Sequence, residues 1–142
     1  MESTPPSPSL LASTNSRFLL SRRRLKLISR MFQQICEAVG FCHDRGISHR
    51  DIKPENFIVE DTRGSEFAGS TDQIHVKLTD FGLAVAQTRC IDFDCGSKPY
   101  MSYECRNNTL RWYNPIESDI WSLGIVLLNL IFHRNPFMEP NV

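Results

Sequence analysis

Apolar side chains recur every three or four residues between Leu25 and Arg45, which is the spacing that places them on one face of an α-helix. Gly46 follows the stripe, and glycine is typical of the position just beyond a helix C-terminus. The pattern therefore predicts an amphipathic helix over residues 25–45. The members of the stripe are Leu25, Ile28, Phe32, Ile35, Val39 and Cys42.

A basic triplet, Arg22 to Arg24, stands immediately before this stripe. The N-terminus of a helix favours anions, so either the helix begins earlier or the triplet is solvated. We expect a solvated basic face, with a docking patch as the alternative.

Two short runs, Phe57–Val59 and His75–Leu78, have the residue types of strands. Residues 60–74 between them include two glycines, two serines, two threonines and four acids, which is typical of a long polar loop. Later in the chain, an almost continuous apolar stretch predicts a second helix over Ser118–Ile131, with Ser118 as its N-cap. Because this helix is apolar on nearly every face, we expect it to be buried.

The composition is that of one small domain, with 142 residues of which 41% are hydrophobic and 23% are charged. Residues 1–16 contain three prolines and seven serines or threonines, so we expect a disordered lead-in there and a folded domain over residues 17–142. Sixteen basic residues balance sixteen acidic ones, which gives no support for a nucleic-acid or membrane partner.

The five cysteines lie at irregular intervals without a C-x-x-C pair, which favours reduced thiols and an intracellular protein, cytoplasmic, nuclear or both. The apolar run Leu123 to Phe132 is shorter than the roughly 20 residues that span a bilayer, so no membrane crossing is expected.

The chemistry is concentrated in two motifs. The octapeptide His49–Asn56 has the sequence H-R-D-I-K-P-E-N, and the triplet Asp80-Phe81-Gly82 begins 24 residues after it ends. In this order, with strands on either side, the two motifs resemble the catalytic loop and the magnesium-binding triplet of protein kinases. The form of the loop is similar to that of a group of fungal serine/threonine kinases.

This resemblance implies an α+β fold, namely the mainly helical C-terminal lobe of a kinase with a small β ribbon that carries Asp80, and with the N-terminal lobe absent. It also implies transfer of the γ-phosphate of ATP to serine or threonine hydroxyls of protein substrates, with ATP and Mg²⁺ as cofactors. Asp51 matches the residue that orients the hydroxyl and accepts its proton, and Lys53 matches the lysine that neutralises phosphate charge at the nucleotide site. Glu55 and the two expected magnesium ligands, Asn56 and Asp80, complete that nucleotide site.

Residues Asp80 to Glu104 resemble a kinase activation segment, which here includes Phe81, Gly82, Thr88 and Ser97. Ser97 matches the hydroxyl residue that helps to hold Asp51 and Lys53 in serine/threonine kinases. Tyr103 departs from the pattern, because a proline usually stands at this position.

Three further residues, His49, Arg50 and Asp119, match structural positions of the family. Asp119 begins a D-x-W-x-x-G pattern whose aspartate accepts backbone hydrogen bonds from the catalytic loop. Arg50 suggests regulation by phosphorylation, since an arginine can pair with a phosphate through two hydrogen bonds. Thr88 is one candidate acceptor for an upstream activating kinase, with a plain solvated hydroxyl as the alternative.

Gly40 and Gly46 are the only glycines before the catalytic loop, so the chain contains no G-x-G-x-x-G nucleotide loop. Two function classes remain open: a serine/threonine kinase represented by a truncated gene product, or a non-catalytic kinase-like binding protein. The intact catalytic and metal positions favour the first class. We expect the 142-residue chain by itself to be inactive.

Overall fold

The computed structural model describes residues 16–62 and 74–138. Its regular elements, in chain order, are helices α1 (Ser16–Leu19) and α2 (Arg22–His43), strands β1 (Phe57–Asp61) and β2 (Ile74–Leu78), and helices α3 (Tyr103–Asn107) and α4 (Pro115–Phe132). Two short 3-10 turns, Pro54–Asn56 and Lys98–Tyr100, flank the candidate site. The expected α+β class is confirmed, and the predicted lead-in lies, apart from Ser16, outside the described residues.

Helix α2 buries the predicted stripe through Ile28, Ile35 and Val39. It begins three residues earlier than predicted because Ser21 caps it, with the side-chain oxygen accepting a hydrogen bond from the Arg24 backbone N–H at 3.4 Å. It ends at His43, before the predicted boundary, and the chain then turns through Gly46 at a φ of +71°.

The basic triplet forms the first turn of α2, and only part of it is solvated. Arg22 and Arg23 are exposed. The Arg24 guanidinium donates to the backbone carbonyls of Leu130 and Ile131 at 2.6 and 2.9 Å. These are last-turn carbonyls of α4, where the helix dipole favours a cation. The expectation of a solvated face is therefore wrong for Arg24.

Strands β1 and β2 form an antiparallel ribbon with Phe57 opposite Leu78 and Asp61 opposite Ile74. Both strands extend into the predicted loop, because residues 60–61 belong to β1 and residue 74 to β2. The rest of the predicted loop, apart from Thr62, lies outside the described residues. The ribbon lies against α2, whose Gln34 side chain makes two 2.9 Å hydrogen bonds to the backbone of β2.

Helix α4 begins at Pro115, and the predicted N-cap is wrong. The side chain of Asn114 caps the helix by accepting from the Ile116 N–H at 3.0 Å, and proline at the first helical position is pre-organised for that start. Ser118 is instead buried inside the first turns, where its hydroxyl lies 2.8 Å from that of Ser102.

The expectation that α4 is buried holds for one face only, because the described residues leave apolar side chains of the other face exposed. Ile120, Trp121 and Leu128 are 56%, 41% and 38% exposed. By length and composition alone the helix could cross a membrane, with 18 residues and a mean hydropathy of 1.4. Its buried face, however, carries Asp119 and Ser122, which bond the adjoining loops as a core helix does.

Two apolar clusters hold these elements together. The larger joins α2, β1 and α4 through Ile35, Val39, Ile52, Phe57, Tyr100, Ile125 and Val126. The smaller lies beside α3 and consists of Cys90, Met101, Cys105 and Tyr113, with Phe93 packed on it. Because Ile52 belongs to the larger cluster, the segment that carries the catalytic motif is fixed between α2 and α4.

Candidate active site

Asp119 of α4 holds the backbone of the catalytic motif. One carboxylate oxygen accepts from the His49 N–H and the other from the Arg50 N–H, both at 2.8 Å. His43, at the end of α2, donates to the same carboxylate at 2.9 Å. Asp119 is only 1% exposed, and these donors stabilise its buried charge. They also maintain Arg50 at a φ of +67°, which is uncommon for a residue with a side chain.

His49 links the motif to the end of the β ribbon. Its Nδ1 accepts a hydrogen bond from the Asp51 backbone N–H at 3.2 Å, which requires a neutral ring with the proton on Nε2. Nε2 in turn lies 2.9 Å from the Thr79 carbonyl oxygen. The His49 and Phe81 rings pack in a T-shaped arrangement, with their centroids 5.0 Å apart. The two sequence motifs are therefore in direct contact.

Asp51, Lys53 and Ser97 form a closed triangle of polar side chains. The Ser97 hydroxyl donates to Asp51 Oδ1 at 2.8 Å and accepts from Lys53 Nζ at 2.8 Å. Lys53 Nζ also lies 3.1 Å from Asp51 Oδ2. Burial raises the pKa of Asp51, but the hydrogen bonds from Ser97 and Lys53 outweigh it and hold that pKa below its ordinary value. The carboxylate is thus ionised and held in one orientation at neutral pH.

Asn56 connects this triangle to the ribbon. It is buried, and its amide nitrogen donates to the Asp51 carbonyl at 2.7 Å and to Asp51 Oδ2 at 3.3 Å. Its own carbonyl accepts from the Thr79 N–H at 2.9 Å. Asp80 follows Thr79, is exposed, and accepts from the Gly82 N–H at 3.3 Å. Asn56 and Asp80 therefore lie at the same end of the ribbon.

Gly96 allows the activation segment to reach Asp51, a role that the sequence analysis missed. Its φ is +118°, and a Cβ atom at this position would lie 2.6 Å from the Arg50 carbonyl oxygen. Because of the positive φ and the close carbonyl oxygen, any residue other than glycine at this position would require a shift of the backbone. A glycine directly before Ser97 in the C-G-S sequence is the signal that could have revealed it.

The remaining sequence-predicted residues lie apart from the triangle. Glu55 is exposed on the first 3-10 turn, and Thr88 is exposed in the activation segment. Glu104 lies in the first turn of α3. Among the described residues, no hydrogen bond joins any of these three to Asp51.

Comparison with known proteins defines the class of this domain. The family model of the protein kinase domain matches residues 9–142. The chain therefore belongs to the protein kinase domain family, and the family predicted from the two motifs is confirmed.

The relatives include protein kinases from fungi and from a plant. The serine/threonine-protein kinase ksp1 of Schizosaccharomyces pombe is 42% identical over 129 residues, which cover 89% of this chain and 26% of the relative. Serine/threonine-protein kinase KSP1 of Saccharomyces cerevisiae is 37% identical over 84% of this chain and 11% of the relative. CBL-interacting protein kinase 1 of Oryza sativa subsp. japonica is 37% identical, with 80% and 23% covered. The chain thus spans about a quarter or less of each of these proteins.

Proposed function

We propose that this chain supplies the catalytic and substrate-facing half of a Mg·ATP-dependent serine/threonine protein kinase. The observation that carries the proposal is the triangle of Asp51, Lys53 and Ser97. An ionised carboxylate held in one orientation is suited to align the attacking hydroxyl of a protein substrate and to accept its proton. The substrates are proteins with serine or threonine acceptors, and five free cysteines support an intracellular location.

Lys53 contributes a fixed positive charge beside that carboxylate. The Lys53 side chain is only 25% exposed, so the electrostatic effect of its charge on a nearby phosphoryl group is less screened than that of a fully solvated lysine. Ser97 bonds both charged groups, which makes their positions depend on the conformation of the activation segment. A kinase built in this way is active only when the segment is packed against the catalytic loop.

The donor set at the ribbon end fits magnesium. Within residues 16–62 and 74–138, no group of three or more His, Cys, Asp or Glu side chains could hold a metal ion by itself. Magnesium is commonly bound by one or two protein oxygens together with substrate phosphates. Asn56 and Asp80 would provide the protein oxygens. The amide nitrogen of Asn56 is used by Asp51, so its oxygen is the atom that would face the cation. When bound, the magnesium–nucleotide complex supplies the phosphoryl group and neutralises its charge.

A non-catalytic binding protein is the alternative, and the triangle argues against it. A surface that only presents a kinase-like shape has no chemical need for Asp51 to be bonded by Lys53, Ser97 and Asn56 together. The ordering of these side chains is useful only if Asp51 acts on a substrate.

The test uses the kinase domain completed with an upstream nucleotide-binding lobe and a peptide substrate. Asp51→Asn should lower kcat by roughly 10²- to 10⁴-fold with nearly unchanged ATP affinity, because this carboxylate acts on the hydroxyl. Asp80→Asn should instead weaken magnesium-dependent nucleotide binding. Asp44→Asn, an exposed acid beyond the end of α2, is the matched control and should change neither. Equal losses of nucleotide binding in the first two variants would refute the assigned roles.

A further inference from the structure

The side chain of Arg50 is buried and already paired. Only 8% of it is exposed, and its Nε donates to the Leu83 carbonyl at 2.6 Å. One terminal nitrogen, Nη1, lies 2.9 Å from Asp92 Oδ2 and 3.4 Å from the Cys90 sulfur. A buried guanidinium needs a counter-charge, and among the described residues Asp92 is the carboxylate within hydrogen-bond distance. The Asp92 side chain is 65% exposed, so the pair lies at the surface with its arginine side buried.

The backbone around Asp92 is fixed by contacts that do not involve Arg50. Cys90 and Tyr113 exchange two backbone hydrogen bonds of 2.9 Å, and the Tyr113 hydroxyl donates to the Asp92 carbonyl at 3.2 Å. Two residues further on, the Asp94 N–H donates to the Cys105 carbonyl at 2.8 Å. The Asp92 carboxylate is therefore presented to Arg50 by a segment that is anchored on both sides.

Arg50 suggested a phosphate partner in the activation segment, with Thr88 as one candidate acceptor. Thr88 is exposed, and no hydrogen bond joins it to Arg50 in the described part of the chain. A carboxylate and a phosphate pair with an arginine through the same charge-assisted hydrogen bonds. We infer that Asp92 takes the place of an activating phosphate, so that the activation segment is ordered without phosphorylation of Thr88. This inference rests on the proposed function and names how the same site is regulated.

Asp92 is a positioning residue, because it acts on the reacting groups through Arg50. The carbonyl of Arg50 is the atom that Gly96 approaches closely, and Ser97, the next residue, bonds Asp51. Loss of the counter-charge at Arg50 should therefore loosen the segment where it meets the catalytic loop.

The first test uses the 142-residue chain and measures amide hydrogen exchange over residues 83–97. Asp92→Asn removes the charge with little change of shape and should speed exchange there by about tenfold, as expected for loss of a hydrogen bond between charged groups. Asp92→Glu should restore most of the protection. Asp94→Asn is the matched control, since Asp94 is a neighbouring acid whose Oδ1 lies 3.5 Å from Arg106 Nη1 rather than near Arg50. This variant should leave the exchange of Leu83 to Cys90 unchanged.

A double variant separates positioning from general stability. In an Arg50→Gln background, Asp92→Asn should have almost no further effect on exchange, because its partner is gone. Wild-type exchange rates in Asp92→Asn, or fully additive effects in the double variant, would overturn the inference.

The second test uses the completed kinase. Asp92→Asn should lower kcat/KM for a peptide by about tenfold with an unchanged KM for ATP, whereas phosphatase treatment or Thr88→Ala should change activity less than about twofold. Loss of activity on phosphatase treatment would overturn the inference in favour of a phosphate. If the wild-type kinase shows no activity, the proposed function fails, and the exchange measurements still decide the role of Asp92.

Discussion

Replacing Tyr103 with proline tests how the activation segment joins α3. Tyr103 is the first residue of this helix, and Ser102 before it has φ −72° and ψ 156°. The N–H of a first helical residue has no partner within its helix, so proline removes nothing that the helix needs. The extended conformation of Ser102 is also the one that a following proline requires. The backbone therefore accepts proline without strain.

Two opposing effects set the magnitude. Proline reduces the conformational freedom of the unfolded chain, which stabilises a compatible site by about 0.4 to 1 kcal/mol. Tyr103 is 38% exposed, so removing its ring also loses packing. Tyr103→Ala loses the same ring without gaining rigidity. We therefore expect the proline variant to exceed the alanine variant by about 0.4 to 1 kcal/mol in unfolding free energy, or roughly 1 to 4 °C in Tm.

Urea titration and thermal melting of the wild type and both variants measure this difference. The comparison of proline with alanine cancels the contribution of the ring, so its sign reports on the backbone alone. A proline variant that is no more stable than the alanine variant would refute the reasoning, because it would show that the N–H of residue 103 is engaged or that α3 begins elsewhere.

Four further outcomes follow from the same contacts. The 142-residue chain should show no appreciable phosphoryl transfer from Mg·ATP to a basic peptide, because positioning of the nucleotide supplies most of the catalysis and this chain contains no G-x-G-x-x-G nucleotide loop; turnover of roughly one per second would contradict this. Gly96→Ala should destabilise the chain by about 1 to 3 kcal/mol in urea unfolding, because its Cβ would press on the Arg50 carbonyl. Arg24→Gln should cost about 1 to 3 kcal/mol by the same assay, whereas the exposed control Arg23→Gln should stay within about 0.5 kcal/mol. The pKa of Asp51 is lowered in the folded chain, so the ionised carboxylate contributes stability at neutral pH that is lost as the pH falls. The difference in unfolding free energy between wild type and Asp51→Asn should therefore shrink below about pH 4.

The helices and the ribbon were predictable because their signals are local. The 3.6-residue period of the stripe indicates α2 whatever the rest of the chain does, and its members Ile28 and Val39 are buried. The predicted start of α4 was wrong because two residues in this region have the type of an N-cap. Ser118 is a good N-cap by type, but Asn114 followed by Pro115 is better and lies one turn earlier.

The site was predictable where the motif itself carries the contact, as for Asp51 and Ser97. It was not predictable where the partner is distant and unmarked in sequence. Asp92 lies 42 residues from Arg50, and nothing in its neighbours distinguishes it from other acids. The position of Arg24 in the sequence was informative, because a cation in the first turn of a helix is unfavourable unless it binds groups of another element.

Helix α4 connects these observations. Near its start, Asp119 accepts the backbone N–H groups of the catalytic loop, and at its end, the carbonyls of the last turn accept from Arg24 of α2. An 18-residue helix is a stiff rod, so a shift of one end is passed to the other. Loss of Arg24 should therefore disturb the unusual backbone of Arg50 as well as the stability of the α2–α4 packing. We therefore expect the geometry of the catalytic loop to depend on two charged side chains: the buried Asp119 near the start of α4, which binds the backbone of the loop, and the half-buried Arg24 of α2, which binds the carbonyls at the end of α4.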